Sequence, residues 1–193
     1  MLSVFNNIAA AVSEHWIAWL VMWGVTLTLI VAAVIDGWKL KVPNWITLPM
    51  ILAAWLTSLC LYGWAGLGYS LLGTAVGLGL LMPAYAIGGM GAGDVKLLAG
   101  VGAWVGVSTT IWAFAVSAIA GAVIAVGMVL FRRQWRHHQG QFLAILNEIM
   151  VIRNPEVLAA NAAERKPQMM LLPYGIPIAI GSIGYFVYMG MLI

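Results

Sequence analysis

"VPNWITLPMILAAWLTSLCLYGWAGLGYSLLGTAVGLGLLMPAYAIGGMGAG", residues 42–93, contains no Asp, Glu, Lys or Arg. A helix that crosses the hydrocarbon core of a bilayer needs roughly 20 mostly apolar residues, so this run is long enough for two crossings. Residues 97–131 and 167–193 are equally free of charge. Only 8% of the 193 residues are charged and 63% are hydrophobic. A soluble domain of this length carries about 25% charged residues. The chain therefore reads as an all-α integral membrane protein, a single domain over residues 1–193.

Working outward from that run, five apolar segments stand out: 16–36, 45–62, 66–87, 111–131 and 170–192. Gly66, Gly68, Gly73, Gly77 and Gly79 give the third a small-residue face suited to close helix packing. Pro49, Pro83 and Pro177 fall within or near segment ends, where neighbouring helices absorb a kink. Residues 95–110 are harder, because "GVSTT" at 106–110 interrupts them: they are either a short span or the start of a long helix. Charge separates the two. With a span at 95–107, Lys39, Lys41, Lys96, Arg132, Arg133, Arg136, Arg153, Arg165 and Lys166 all fall on one side. Merging 95–131 would set Lys96 opposite the Arg132 cluster. Basic loops face the cytoplasm, so the expectation is a bundle of six transmembrane helices with both termini outside. The N-terminus has no Lys or Arg ahead of its first apolar segment and no clear cleavage site, so that segment is expected to remain as a span.

The long cytoplasmic loop, 132–168, has ordinary soluble composition. Within it "QFLAILNEIMVIR" puts Phe142, Ile145, Leu146, Ile149 and Ile152 at helical spacing. This pattern predicts one amphipathic helix lying in the membrane interface.

Several chemistries are excluded. No basic patch is interleaved with aromatics on a soluble face, so nucleic acid is not an expected partner. Cys60 is the only cysteine, which rules out an intrachain disulfide. The histidines, His15, His137 and His138, lie outside the spans, and H-E-x-x-H, G-x-S-x-G and a phosphate loop are all missing.

What remains is a pair of acids. Asp36 and Asp94 are the only aspartates in the chain. Asp36 ends the first span and Asp94 begins the fourth, so the expected topology puts both at the cytoplasmic boundary. Singly, Asp36 reads as a helix-end carboxylate and Asp94 as an N-cap. Together they are ionisable groups at membrane depth, which are costly and usually functional. Two carboxyls close together cannot both ionise cheaply and share a proton. The ionised one serves as base toward water, while the protonated one polarises a scissile carbonyl. Gly91 and Gly93, lacking Cβ atoms, let backbone beside Asp94 approach a substrate strand.

"GAGD" at 91–94 matches the G-x-G-D signature of intramembrane aspartyl proteases. With "GGMGAGDVKLL" at 88–98, "DGWKLKVPN" at 36–44 and "LPYG" at 172–175, the chain from about residue 25 onward resembles the type IV prepilin peptidases. The short members serving Flp (tight-adherence) pili are the best likeness. The resemblance implies Asp36 and Asp94 as the catalytic pair and Gly91 and Gly93 as the signature glycines. It also implies Lys96, Lys39, Pro43, Asn44, Pro173, Tyr174 and Gly175 as residues that bind substrate or shape the site. The implied activity is removal of leader peptides from prepilins or pseudopilins, at the cytoplasmic face of a bacterial inner membrane, with no metal or cofactor. Membrane lipids are the surroundings. The larger members carry a cysteine-bearing cytoplasmic domain and also methylate the new N-terminus. No such domain separates the early spans here, so methyltransferase activity is not expected.

Two other readings use the same acids. A proton- or cation-coupled transporter also needs intramembrane carboxylates. It would, however, show related halves and a site at the midplane, not at one boundary. A presenilin-like protease cutting within the bilayer shares G-x-G-D, but the Pro-Asn and "DVKLL" contexts favour the prepilin branch.

Overall fold

The computed structural model describes residues 2–86, 89–131 and 173–192. The amphipathic helix expected within 132–168 lies outside the described residues. Among the described residues four helices are seen: α1 (Leu2–Lys39), α2 (Asn44–Ala86), α3 (Ala92–Phe131) and α4 (Gly175–Tyr188). Three are long and apolar enough to cross a membrane, through Trp16–Lys39, Asn44–Ala86 and Ala92–Met128.

This corrects the expected bundle of six transmembrane helices. Segments 45–62 and 66–87, the latter as far as Ala86, belong to one 43-residue element, α2, and segments 95–107 and 111–131 to one 40-residue element, α3. Of the expected last span, 170–192, the described residues 173–192 hold a helix of 14 residues, Gly175–Tyr188. At 1.5 Å per residue it is about 21 Å long, short of the ~30 Å hydrocarbon core. The physical reason is the way the chain turns. Gly63 (φ 65, ψ −154) and Gly106 (φ 75, ψ −177) occupy a backbone region open essentially to glycine alone. A single such residue redirects the helix without any loop, so nothing in the composition marks two separate elements.

The bends are sharp. Trp55 Nε1 donates to Thr74 Oγ1 at 3.0 Å although both lie in α2. In a straight helix, residues this far apart would stand about 28 Å from each other, so the arm before Gly63 lies back against the arm after it.

Lipid tails are as apolar as Leu, so helices in a bilayer associate through close packing and hydrogen bonds. α2 and α3 do so through glycine. Gly73 and Gly102 abut so closely that a Cβ on either would strike the other's carbonyl, and one on Gly77 would strike the backbone of Leu98 and Ala99. Ser70 Oγ donates to the Ala103 carbonyl at 2.7 Å, and Trp104 Nε1 to the Met50 carbonyl at 3.0 Å. The first arm of α3 becomes the centre of the bundle, with Leu97, Leu98, Ala99 and Val101 fully buried. α4 packs on α3 where Gly181 meets Ser117, and α1 packs chiefly on α4.

Aromatic side chains mark the two ends. Trp38 and Trp45 are exposed at one end, and Trp16, Tyr62, Trp64 and Tyr188 at the other. Trp16 and Trp38 stand about 33 Å apart along α1, which fits two interfacial belts around a hydrocarbon core. The chain is a membrane-embedded α-helical protein.

The glycine seam gives a direct test. Gly77→Leu should destabilise the protein by at least the ~1–3 kcal/mol of an overpacked core. Gly79→Leu, where a Cβ would meet nothing within 4 Å, should leave stability near wild type. Thermal unfolding in detergent compares the two, and equal midpoints would contradict the packing described.

Candidate active site

Asp36 sits one turn before the end of α1. Its carbonyl accepts the Leu40 N–H at 2.8 Å, and Leu40 then takes a left-handed conformation (φ 51) that turns the chain out of the helix. Val42 is buried, and α2 begins at Asn44, with the Pro43 carbonyl accepting the Ile46 N–H at 3.1 Å. Proline has no N–H to leave unsatisfied at such a start. The Asp36 side chain is only 2% exposed. Its Oδ2 accepts the N–H of Gly175, the first residue of α4, at 2.7 Å. The opening N–H groups of a helix have no partner within the helix, so this carboxylate satisfies one of them.

Gly175 leaves room for nothing larger. A Cβ there would lie 2.9 Å from Asp36 Oδ2 and 3.0 Å from its Cβ. Pro173 and Tyr174 form the turn that delivers it, their carbonyls accepting the N–H groups of Ile176 (3.2 Å) and Ile178 (3.1 Å). The Pro-Tyr-Gly element thus seats the start of α4 against the end of α1.

Asp94 is the third residue of α3 and is 6% exposed. It is not the N-cap that one reading of the sequence suggests. Its Oδ2 instead reaches back to the Gly91 N–H, 3.1 Å away, as the third-position acid of a capping box does. Its Oδ1 is buried with no hydrogen-bond partner. Leaving a buried acceptor unpaired costs about 1–3 kcal/mol.

Gly93 explains the second signature glycine. A Cβ there would run into the Val42 carbonyl, so α3 begins with its backbone pressed on the connection between α1 and α2. Two residues past Asp94, Lys96 Nζ donates to Asn44 Oδ1 at 3.0 Å.

These contacts bring both acids to one end of the bundle. Each accepts an N–H at the start of a helix, Asp36 from α4 and Asp94 from α3, and the charge of Asp36 bears on Asp94. Among the described residues, no Lys or Arg is paired with either carboxylate. No group of three or more His, Cys, Asp or Glu that could hold a metal occurs among them either. Two carboxyls held close enough to couple have, in general, the means to share a proton and to act on one water as base and acid.

Of the residues singled out from sequence, Asp36, Asp94, Gly91, Gly93 and Gly175 meet here. Asn44 and Lys96 join beside them, and Pro173 and Tyr174 shape the turn. Lys39 stands exposed in the last turn of α1. Two further residues carry no such signal. Val42, whose carbonyl seats Gly93, looks in sequence like any apolar residue between a lysine and a proline. Thr47 is completely buried with an unpaired hydroxyl one turn into α2. Its only mark in the sequence is a polar residue at the start of an apolar run.

Comparison with known proteins gives the same direction. Residues 23–126 match the type IV leader peptidase family. The chain is similar to the "Prepilin leader peptidase/N-methyltransferase" of Aeromonas salmonicida (strain A449), at 33% identity over 140 residues, which is 66% of this chain and 47% of that protein. It is similar to the protein of that name from Aeromonas hydrophila to the same degree, 33% over 140 residues. The one from Neisseria gonorrhoeae is 35% identical over 120 residues, 58% of this chain and 42% of that protein. The alignments thus span about half the length of these curated relatives. No solved structure matches the chain.

Proposed function

Because the chain belongs to the type IV leader peptidase family, we propose that Asp36 and Asp94 are an aspartyl dyad that cleaves the leader peptide from prepilins or pseudopilins. The observation that supports this reading is the placement of the only two aspartates at one end of the bundle, both buried and neither paired with a cation among the described residues. In the step proposed, the ionised carboxylate takes a proton from water and the water oxygen attacks the scissile carbonyl carbon. The protonated partner donates to the carbonyl oxygen. The C–N bond then breaks, and the new amine leaves with a proton delivered by the dyad. The unpaired Asp94 Oδ1 is the acceptor available for that water or peptide.

The site belongs on the cytoplasmic side in this proposal. Lys39, Lys41 and Lys96 all lie at the end of the bundle that holds the acids, as the positive-inside rule requires of a cytoplasmic end. The narrower substrate, an Flp-type prepilin cut after a glycine ahead of its hydrophobic helix, is supported by the motif likeness of "DGWKLKVPN" and "GGMGAGDVKLL". A site at the membrane boundary suits a bond just outside an apolar helix better than one at mid-bilayer, and so favours leader removal over a cut within a transmembrane segment.

The decisive experiment mixes the purified protein in detergent with a candidate prepilin and follows leader loss by mass. Asp36→Asn and Asp94→Asn should each lower cleavage by about 10²–10⁴-fold, the usual worth of a positioned acid or base, while both variants purify normally. Full cleavage by either variant would remove the dyad. Gly175→Ala should be nearly as damaging, because the new Cβ displaces Asp36, whereas Gly184→Ala, where a Cβ would meet nothing within 4 Å, should be silent. The rate should fall at both pH extremes. Low pH protonates both carboxyls and removes the base, and high pH ionises both and removes the acid.

Sidedness has its own test in a Cys60→Ser background. Leu40→Cys, at the acid end, should react with an impermeant thiol reagent only from the cytoplasm, and Tyr188→Cys only from outside. The reverse pattern would overturn the proposed orientation.

A further inference from the structure

The connection between α1 and α2 is held onto the start of α3 at two points that bracket Asp94. One residue before the acid, Gly93 takes the Val42 carbonyl against its bare Cα. Two residues after it, the Lys96 ammonium holds Asn44 Oδ1 at 3.0 Å. Lysine has donors and no acceptor, so it also fixes which way the Asn44 amide faces. The acid itself is under-determined by its own bonds, since only Oδ2 has a partner and Oδ1 has none. Orientation of the Asp94 carboxylate therefore depends on how α3 begins, and that depends on the seam.

We propose that Lys96 and Asn44 are a positioning pair for Asp94. They clasp the start of α2 to the start of α3 and fix the acid's direction without touching the scissile bond. This inference rests on the peptidase reading above and adds to it a role that neither residue's type announces. The rival use of an ammonium at this place is to hold a substrate group directly. The two uses differ in what they demand of Asn44. A clasp needs both partners equally, while a substrate contact needs only the lysine.

The test compares Lys96→Met, Asn44→Leu, the double variant and Lys96→Arg on a prepilin substrate. Each single change should lower kcat by about 10- to 100-fold, the usual consequence of a small misplacement, with KM within about twofold of wild type. The double variant should be no worse than either single, because one interaction is lost only once. Lys96→Arg, which retains a cationic donor, should recover most of the rate. A raised KM in Lys96→Met with Asn44→Leu unaffected would overturn the clasp, as would effects that multiply in the double variant.

Hydrogen exchange supplies a readout that needs no catalysis. Backbone amides of residues 90–98 should exchange faster in both single variants than in the wild type, with the double variant equal to either. Unchanged exchange overturns the proposal. A wild-type protein that fails to cleave any prepilin would count against the peptidase reading, and the exchange arm would still decide the clasp.

Discussion

A carboxylate buried among apolar helices must be given hydrogen-bond donors, and nearly every backbone donor in a helix is already committed. The exceptions are the first N–H groups, which have no partner within their own helix. This protein puts Asp36 and Asp94 at just those places: Asp36 takes the opening N–H of α4 and Asp94 the Gly91 N–H that leads into α3. Helix beginnings also favour negative charge. The acids therefore fix where two helices start, and those starts fix where the acids are. Three elements distant in sequence, the end of α1 and the beginnings of α3 and α4, have to converge at one end of the bundle for either acid to be satisfied.

Convergence at that density leaves no room for side chains between backbones. Gly175 lies against Asp36 itself and Gly93 against the Val42 carbonyl, while Gly73 and Gly102 carry the same close contact into the middle of the bundle. The glycines of the signature thus answer to neighbours within the protein. In sequence Gly93 reads as a place for a substrate to approach, and in the structure it lets the α1–α2 connection approach. At Gly91 the neighbour is the acid itself, since a Cβ there would lie 3.2 Å from Asp94 Oδ2.

The acids are legible in the sequence because charge is so scarce that two aspartates at the edges of charge-free runs stand out at once. Membrane embedding is legible for the same reason. The number of spanning helices is not. Gly63 and Gly66, or the "GVSTT" stretch, resemble loops in composition, but a glycine at positive φ turns a helix without one, and hydropathy cannot distinguish the two. Nor is the seam legible as a seam. Lys96 and Asn44 belong to separate motifs, and their hydrogen bond joins residues far apart in the chain. Pairings of that kind are set by the crossing of helices, which depends on Gly73, Gly77 and Gly102 and not on the polar residues themselves.

The first arm of α3 therefore has two duties that cannot be separated. Its buried face, Leu97, Leu98 and Val101, is the centre of the bundle, and its N-terminal end carries Asp94 and Lys96. A rigid packed arm transmits the position of the core to the acid at its tip, so packing far from the site sets geometry within it. The opposite acid has a different support: α1 packs chiefly on α4 and reaches α2 through the short connection at residues 40–43. Asp36 is therefore positioned through α4 and Asp94 through α2 and α3, with the Val42–Gly93 contact tying the α1–α2 connection to α3 and the Asn44–Lys96 contact tying the start of α2 to it. The proton sharing proposed for the two carboxylates requires their relation to be held, and those ties act on it alongside the acids' own hydrogen bonds.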